Sequence, residues 1–262
     1  MRLSIACLAP LFLACPAHAE EAVDLELVLA VDISGSVDDE ESKQQRDGYV
    51  AALSDPSVIE AIASNELGRI AVTYVEWSGP DQQEQVLGWT ILDGAEAAQG
   101  LASRLAALPR ARGMWTSIGV AVDFCRLLFD GNGLSAPRHV IDISGDGSNN
   151  RGPSAESARD RAIAAGIVIN GVPIMNDRPQ PWAMPTPNEM RLDRYYTENV
   201  IGGPGAFIVP AETFQDFRTA ILAKLVREIS REDRPASPPG RAVGQGLPVI
   251  APAPNVRSLA SR

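Results

Sequence analysis

The stretch Leu25-Glu26-Leu27-Val28-Leu29-Ala30-Val31-Asp32-Ile33-Ser34-Gly35-Ser36 decides the fold. Apart from Glu26, residues 25–31 are apolar without the alternation of a half-wet strand. Such a run is a strand buried on both faces, as in a parallel sheet covered by helices. Asp32, Ser34 and Ser36 then leave its carboxyl end, where ligands bind in open α/β sheets. One carboxylate and two hydroxyls are hard donors carrying a single formal charge, which suits a magnesium-like cation that keeps waters and an open position. The same residues also make a strand-to-helix turn, because Asp38 followed by Glu41 has the spacing of a capping box.

Two later segments repeat that chemistry. Gly113-Met114-Trp115-Thr116-Ser117 leads into an apolar helical stretch and offers the Thr116 hydroxyl. Val140-Ile141-Asp142-Ile143-Ser144-Gly145-Asp146-Gly147 reads as a second buried strand running into Asp-Gly, and offers the Asp146 carboxylate. Around these segments the elements alternate as in a βα fold. Helices are expected at 38–53, 95–108, 117–129, 155–165 and 213–229. Strands are expected at 69–77, 85–92, 139–144 and 167–174, with a short one at 206–209. The turn Ser78-Gly79-Pro80-Asp81 is short enough to make 69–77 and 85–92 an antiparallel pair. The expected architecture is therefore α/β: a doubly wound, mostly parallel central sheet, helices on both faces, and one antiparallel edge strand.

Asp-x-Ser-x-Ser, then a Thr opening a helix, then a strand-borne Asp-Gly, in that order, resembles the von Willebrand factor type A (VWA) domain, and in particular its bacterial exported members. The resemblance spans roughly residues 24–229. It implies a metal-ion-dependent adhesion site built from Asp32, Ser34, Ser36, Thr116 and Asp146. It further implies Mg²⁺, with Mn²⁺ or Ca²⁺ as alternatives, and a protein partner that presents an Asp or Glu carboxylate. Three hydroxyls and two carboxylates only about neutralise a dication, so the metal stays electrophilic and a partner carboxylate can displace a bound water.

Composition sets the compartment and excludes several classes. Arg2, the apolar run 3–14 and Ala17-His18-Ala19 fit a secretory leader over residues 1–19, cleaved after Ala19. A lipoprotein reading through Cys15 is weaker, because Phe12 is a poor residue at the upstream recognition position. The protein is thus expected to be periplasmic or secreted, without stable membrane insertion. Residues 20–233 form the expected domain. Of 23 basic side chains, Arg2 lies in the leader and four arginines in 234–262, leaving 18 against 33 acids in that domain, a formal charge of −15. Such a body repels nucleic acid and anionic membrane surfaces. Residues 234–262, rich in Pro, Ala and Gly and without periodic patterning, read as a disordered tail. Cys125 lies among apolar helical residues and reads as a buried hydrophobe.

Catalysis has little support. His139 is the one histidine after the leader and stands at the start of a strand, opposite the metal loops. No nucleophile elbow, phosphate loop or zinc-protease pattern is present. The enzymatic alternative is a metal-dependent phosphoryl hydrolase using Asp32 as nucleophile; Ser34, where a second carboxylate would help, suits a neutral ligand better. A structural domain whose metal ties three loops together is the other alternative.

Partner contact is expected around the metal. Trp115 can supply apolar surface beside Thr116, with core packing as the competing role. The connection 175–205 is long for a βα loop, carries five prolines, and brings Trp182, Tyr195 and Tyr196. A short helix is expected at 191–197.

Overall fold

A computed structural model of the protein describes residues 19–175 and 190–230. The tail 234–262, all of the leader but Ala19, and Trp182 lie outside the described residues.

The chain opens with β1 (Glu21–Ala22) and enters β2 (Glu26–Asp32), which is buried along its whole length. Helix α1 (Asp39–Leu53) begins at the expected cap: Asp38 accepts from Glu41 N–H, and the Glu41 carboxylate accepts from Asp38 N–H. Helix α2 (Pro56–Ala63) follows, capped by Asp55 with proline in its first turn. Asp55-Pro56 was legible as a helix start, yet no helix is expected there from the wider pattern. Strands β3 (Ile70–Trp77) and β4 (Gln83–Leu92) form the antiparallel pair. Then come α3 (Ala95–Ala107), α4 (Ile118–Leu127), β5 (Leu134–Ser135), β6 (His139–Gly145) and α5 (Ala155–Ala164). Gly166, at φ 80°, ends α5 in the left-handed conformation that glycine adopts without steric cost. Strand β7 (Ile167–Pro173), the short α6 (Leu192–Tyr195) with a π-helical turn at Tyr196–Val200, and α7 (Phe217–Ile229) complete the described chain.

The main sheet has five strands in the order β4-β3-β2-β6-β7. β2 is central, paired in parallel with β3 and β6, and β4 is the antiparallel edge. The alternation of β2 explains its unbroken apolar run. Leu27, Leu29 and Val31 enter the core with α1, α2, α3 and α7, whereas Val28 and Ala30 enter the core with α4 and α5. β1 and β5 pair as a separate two-residue ribbon that the sequence does not announce.

Two boundaries differ from expectation. The residues at 206–209 form no strand: Ile208 makes an isolated parallel bridge to Gly171, with Gly171 N–H donating to Phe207 O. The last helix begins at Phe217 rather than 213, because Thr213 to Asp216 fold into a turn in which Thr213 Oγ1 donates to Asp216.

One polar cluster sits inside the core between β6, β7 and α7. Asp142 and Lys224 are fully buried, and Glu228 and Asn170 nearly so. Lys224 Nζ lies 2.8 Å from Asp142 Oδ1 and 2.9 Å from Glu228 Oε1, and Asn170 Nδ2 donates to Glu228 at 2.6 Å. Two carboxylates therefore share one ammonium. Burial pushes the Asp142 carboxyl up to about 7, with Glu228 adding to the rise and Lys224 opposing it.

Candidate metal centre

Asp32, Ser34, Ser36 and Asp146 stand together at the carboxyl end of the parallel strands, and Thr116 lies beside Gly147. Asp32 closes β2 fully buried, and its Oδ1 accepts from Ser34 N–H at 2.7 Å, folding the loop back on the strand end. Ser34 Oγ stands 3.1 Å from Ser36 Oγ, and Ser36 Oγ donates to Asp146 Oδ1 at 2.5 Å. Residues 110 positions apart are thus in direct contact. They meet because β2 and β6 are adjacent and parallel, so both loops leave the same edge. The Asp146 N–H also donates to the Asp32 carboxylate.

Thr116 arrives from the other side. Gly113 N–H donates to Ile33 O at 2.8 Å and Ser117 N–H to Ser78 O at 2.8 Å, which fixes the loop against the first one and the β3–β4 turn. Asn150 then clamps it. Thr116 N–H donates to Asn150 Oδ1 (2.8 Å), Asn150 N–H donates to Thr116 O (2.9 Å), and Asn150 Nδ2 donates to Thr116 Oγ1 (3.4 Å). A Cβ placed on Gly147, beside Asp146, would lie 3.4 Å from Thr116 Oγ1, so the second and third loops touch.

Electrostatics at this point favour a cation. Burial pushes the Asp32 carboxyl well above its ordinary range, and the nearby Asp146 charge raises it further, against the opposing hydrogen bonds from Ser34 and Asp146. Among the described residues nothing hydrogen-bonds to the buried Asp32 Oδ2 or Tyr196 Oη. Both oxygens face the same spot: a Cβ on Gly145 would sit 2.8 Å from Asp32 Oδ2 and 3.0 Å from Tyr196 Oη. Among the described residues no group of three or more His, Cys, Asp or Glu is arranged to hold a metal. A cation here would depend on the three hydroxyls, a donor set that fits Mg²⁺ better than a soft metal.

The partner-facing residues divide. Trp115 is 51% exposed and Met114 69% exposed, so Trp115 does not pack in the core. Its φ of 68° is the left-handed region, which costs a bulky residue roughly 1–2 kcal/mol. Tyr195 is half-buried and its hydroxyl accepts from Asn149 N–H at 3.3 Å, bracing the third loop. Tyr196 corrects expectation. It is fully buried in the core with α4 and α5, and so offers a partner no surface. The π-helical turn that it opens rotates it inward under Gly145 while leaving Tyr195 at the rim. Asn150, Gly145 and Arg151 are site neighbours that the sequence reading misses. The polar run Ser148-Asn149-Asn150-Arg151, directly after a ligand-bearing Asp-Gly, was their available signal.

His139 starts β6, at the opposite end of the sheet, where its ring meets Phe129 edge-on and its Nε2 lies 3.4 Å from Glu26. Cys125 is buried and free, and burial pushes its thiol up.

The strand order and the antiparallel edge make a doubly wound α/β fold of the VWA type. The chain belongs to the family described as "Protein of unknown function (DUF1194)", which matches residues 22–233. Among solved structures it is similar to proximal thread matrix protein 1 from the mussel byssus, with a TM-score of 0.57 at 16% identity over 80% of this chain and 49% of that one. Another structure of the mussel protein, with a zinc-occupied MIDAS motif, gives a TM-score of 0.56 at 14% identity over 79% and 48% of the two chains. The pilus adhesin SpaC from Lactobacillus rhamnosus GG, in an open conformation, gives 0.54 at 15% identity over 79% of this chain and 30% of the adhesin. At these identities the likeness is one of fold, and this chain spans about half of the mussel protein and less than a third of the adhesin. No curated protein matches its sequence.

Proposed function

We propose that this protein is an exported, Mg²⁺-dependent binding module that captures an Asp or Glu carboxylate of a partner protein. The observation that carries the reading is the hydrogen-bonded line Ser34–Ser36–Asp146 closing on the buried, unpartnered Oδ2 of Asp32, with Thr116 pinned alongside. In that reading Asp32 and Asp146 supply the charge, and Ser34, Ser36 and Thr116 the neutral oxygens. The bound ion would offer a partner carboxylate an electrophilic oxygen site. The structures of a matrix protein with a zinc-occupied adhesion motif and of a pilus adhesin support the same kind of use for this fold. Mn²⁺ and Ca²⁺ are the alternative ions. No helix of the described residues is long and apolar enough to cross a membrane.

Full burial of Asp32 favours binding over the hydrolase alternative, since a nucleophile must meet the phosphorus in line. Trp115 and Tyr195 at the rim, together with the connection that carries Trp182, would read the partner. The test is a pull-down from the exporting cell's envelope extract, with Mg²⁺ and again with chelator. Capture that requires Mg²⁺ and is lost in Asp146→Ala supports the proposal. Capture indifferent to both leaves the five residues a structural role.

A further inference from the structure

The tie between Thr116 and Asn150 brings a second pair of residues together. Their chain neighbours, Trp115 and Arg151, are held side by side on the surface. The Arg151 guanidinium stands 5.3 Å from the centre of the Trp115 ring, over its face. Both are exposed, and Met114 extends the apolar surface. Trp115 keeps this position at a positive φ, a strained backbone that the flanking hydrogen bonds of Gly113, Thr116 and Ser117 hold in place. Among the described residues none offers Arg151 a carboxylate. Within the described residues it is an exposed cation on an acidic domain, stacked on an aromatic face.

We infer that Trp115 and Arg151 form a second contact beside the metal position, and that they select an acidic peptide segment of particular make-up. The carboxylate read by the metal would be followed closely by an apolar side chain, for Trp115 and Met114, and by a second carboxylate, for Arg151. The spacing follows from geometry. Trp115 adjoins Thr116 in the chain, so their Cα atoms lie about 3.8 Å apart and the ring leaves the backbone next to a proposed ligand. An extended peptide advances about 3.3 Å per residue and therefore reaches both contacts within a few residues. A guanidinium already stacked on an aromatic face loses less freedom when it takes a carboxylate in bidentate fashion. This inference deepens the proposed function and rests on it for the metal-bound carboxylate.

The test uses fluorescein-labelled seven-residue peptides, Gly-Gly-Asp-Leu-Glu-Gly-Gly and Gly-Gly-Asp-Gly-Gly-Gly-Gly, with the full chain in Mg²⁺ and in chelator. Fluorescence anisotropy should show the Asp-Leu-Glu peptide binding at least about tenfold more tightly in Mg²⁺, the worth of one good apolar or ionic contact. Trp115→Ala and Arg151→Ala should each remove most of that preference while leaving the melting curve and calorimetric Mg²⁺ affinity unchanged, because both side chains are exposed. Equal binding of the two peptides, binding of neither, or a preference that survives both substitutions would overturn the inference. Failure of the wild type to bind Mg²⁺ would sink the metal reading by itself. A preference for Asp-Leu-Glu that persists in chelator and disappears in both variants would then still uphold the Trp115–Arg151 contact. Self-association of the chain, abolished by Arg151→Ala in sedimentation, would make the occupant a second copy and overturn the peptide assignment.

Discussion

Replacing Asp142 by Asn should change how stability depends on pH, and the buried cluster fixes both sign and size. In the native protein two carboxylates face one ammonium, all out of contact with water. With every group ionised the cluster carries an excess negative charge in the core. Asp142 relieves this by holding its proton up to about pH 7, whereas an unfolded aspartate loses it near 3.9. Between those values the native state binds more protons than the unfolded state, so stability falls as pH rises, and levels off once Asp142 ionises in both. One proton corresponds to about 1.4 kcal/mol per pH unit, and because Asp142 is half ionised at pH 7 the change between pH 5 and 7 is about 2 kcal/mol. In Asp142→Asn the carboxamide oxygen can still accept from Lys224, and the cluster stays neutral throughout. Urea melts of both proteins at pH 5, 6, 7 and 8 isolate the effect from all other titrating groups. The variant should gain on the wild type by about 2 kcal/mol from pH 5 to 7, equivalent to roughly 4–8 °C in melting temperature, with little further change by pH 8. A difference that does not vary with pH would show that Lys224 holds Asp142 ionised throughout, and would refute the reasoning.

Asp146→Asn should remove the like charge beside Asp32, so the metal-free variant melts at or above the wild-type temperature. It should also lose the stabilisation that saturating Mg²⁺ gives, about 2.7 kcal/mol at a hundredfold excess over Kd, as read by thermal shift. Gly145→Ala would drive a methyl to 2.8 Å from Asp32 Oδ2; calorimetric Mg²⁺ affinity should fall at least about tenfold, with about 1–3 kcal/mol lost in a urea melt. Unchanged affinity would show that Asp32 Oδ2 takes no part. Deleting residues 234–262 should move the melting temperature by less than about 2 °C, because the tail has no patterned apolar surface to bury. A larger drop would show that it docks on the domain.

The sequence by itself determined the main sheet, its central strand and the order of the proposed ligands. An unbroken apolar run can only be covered on both faces, and Asp-x-Ser-x-Ser at its end has a local, short-range logic that survives without tertiary information. The capping box at Asp38 and Glu41 was legible for the same reason, since both its hydrogen bonds lie within four residues. Tertiary structure alone decided what depends on contacts between distant residues. Asn150 is an ordinary loop asparagine until β6 carries it to Thr116, 34 positions away. Tyr195 and Tyr196 are equivalent in the sequence, and only the π-helical turn sends one to the rim and the other beneath Gly145. Asp142 is one polar residue in an apolar strand and Lys224 one charged position in the last helix; their contact between β6 and α7 makes them a buried pair, because burial is a property of the assembled layers rather than of either segment.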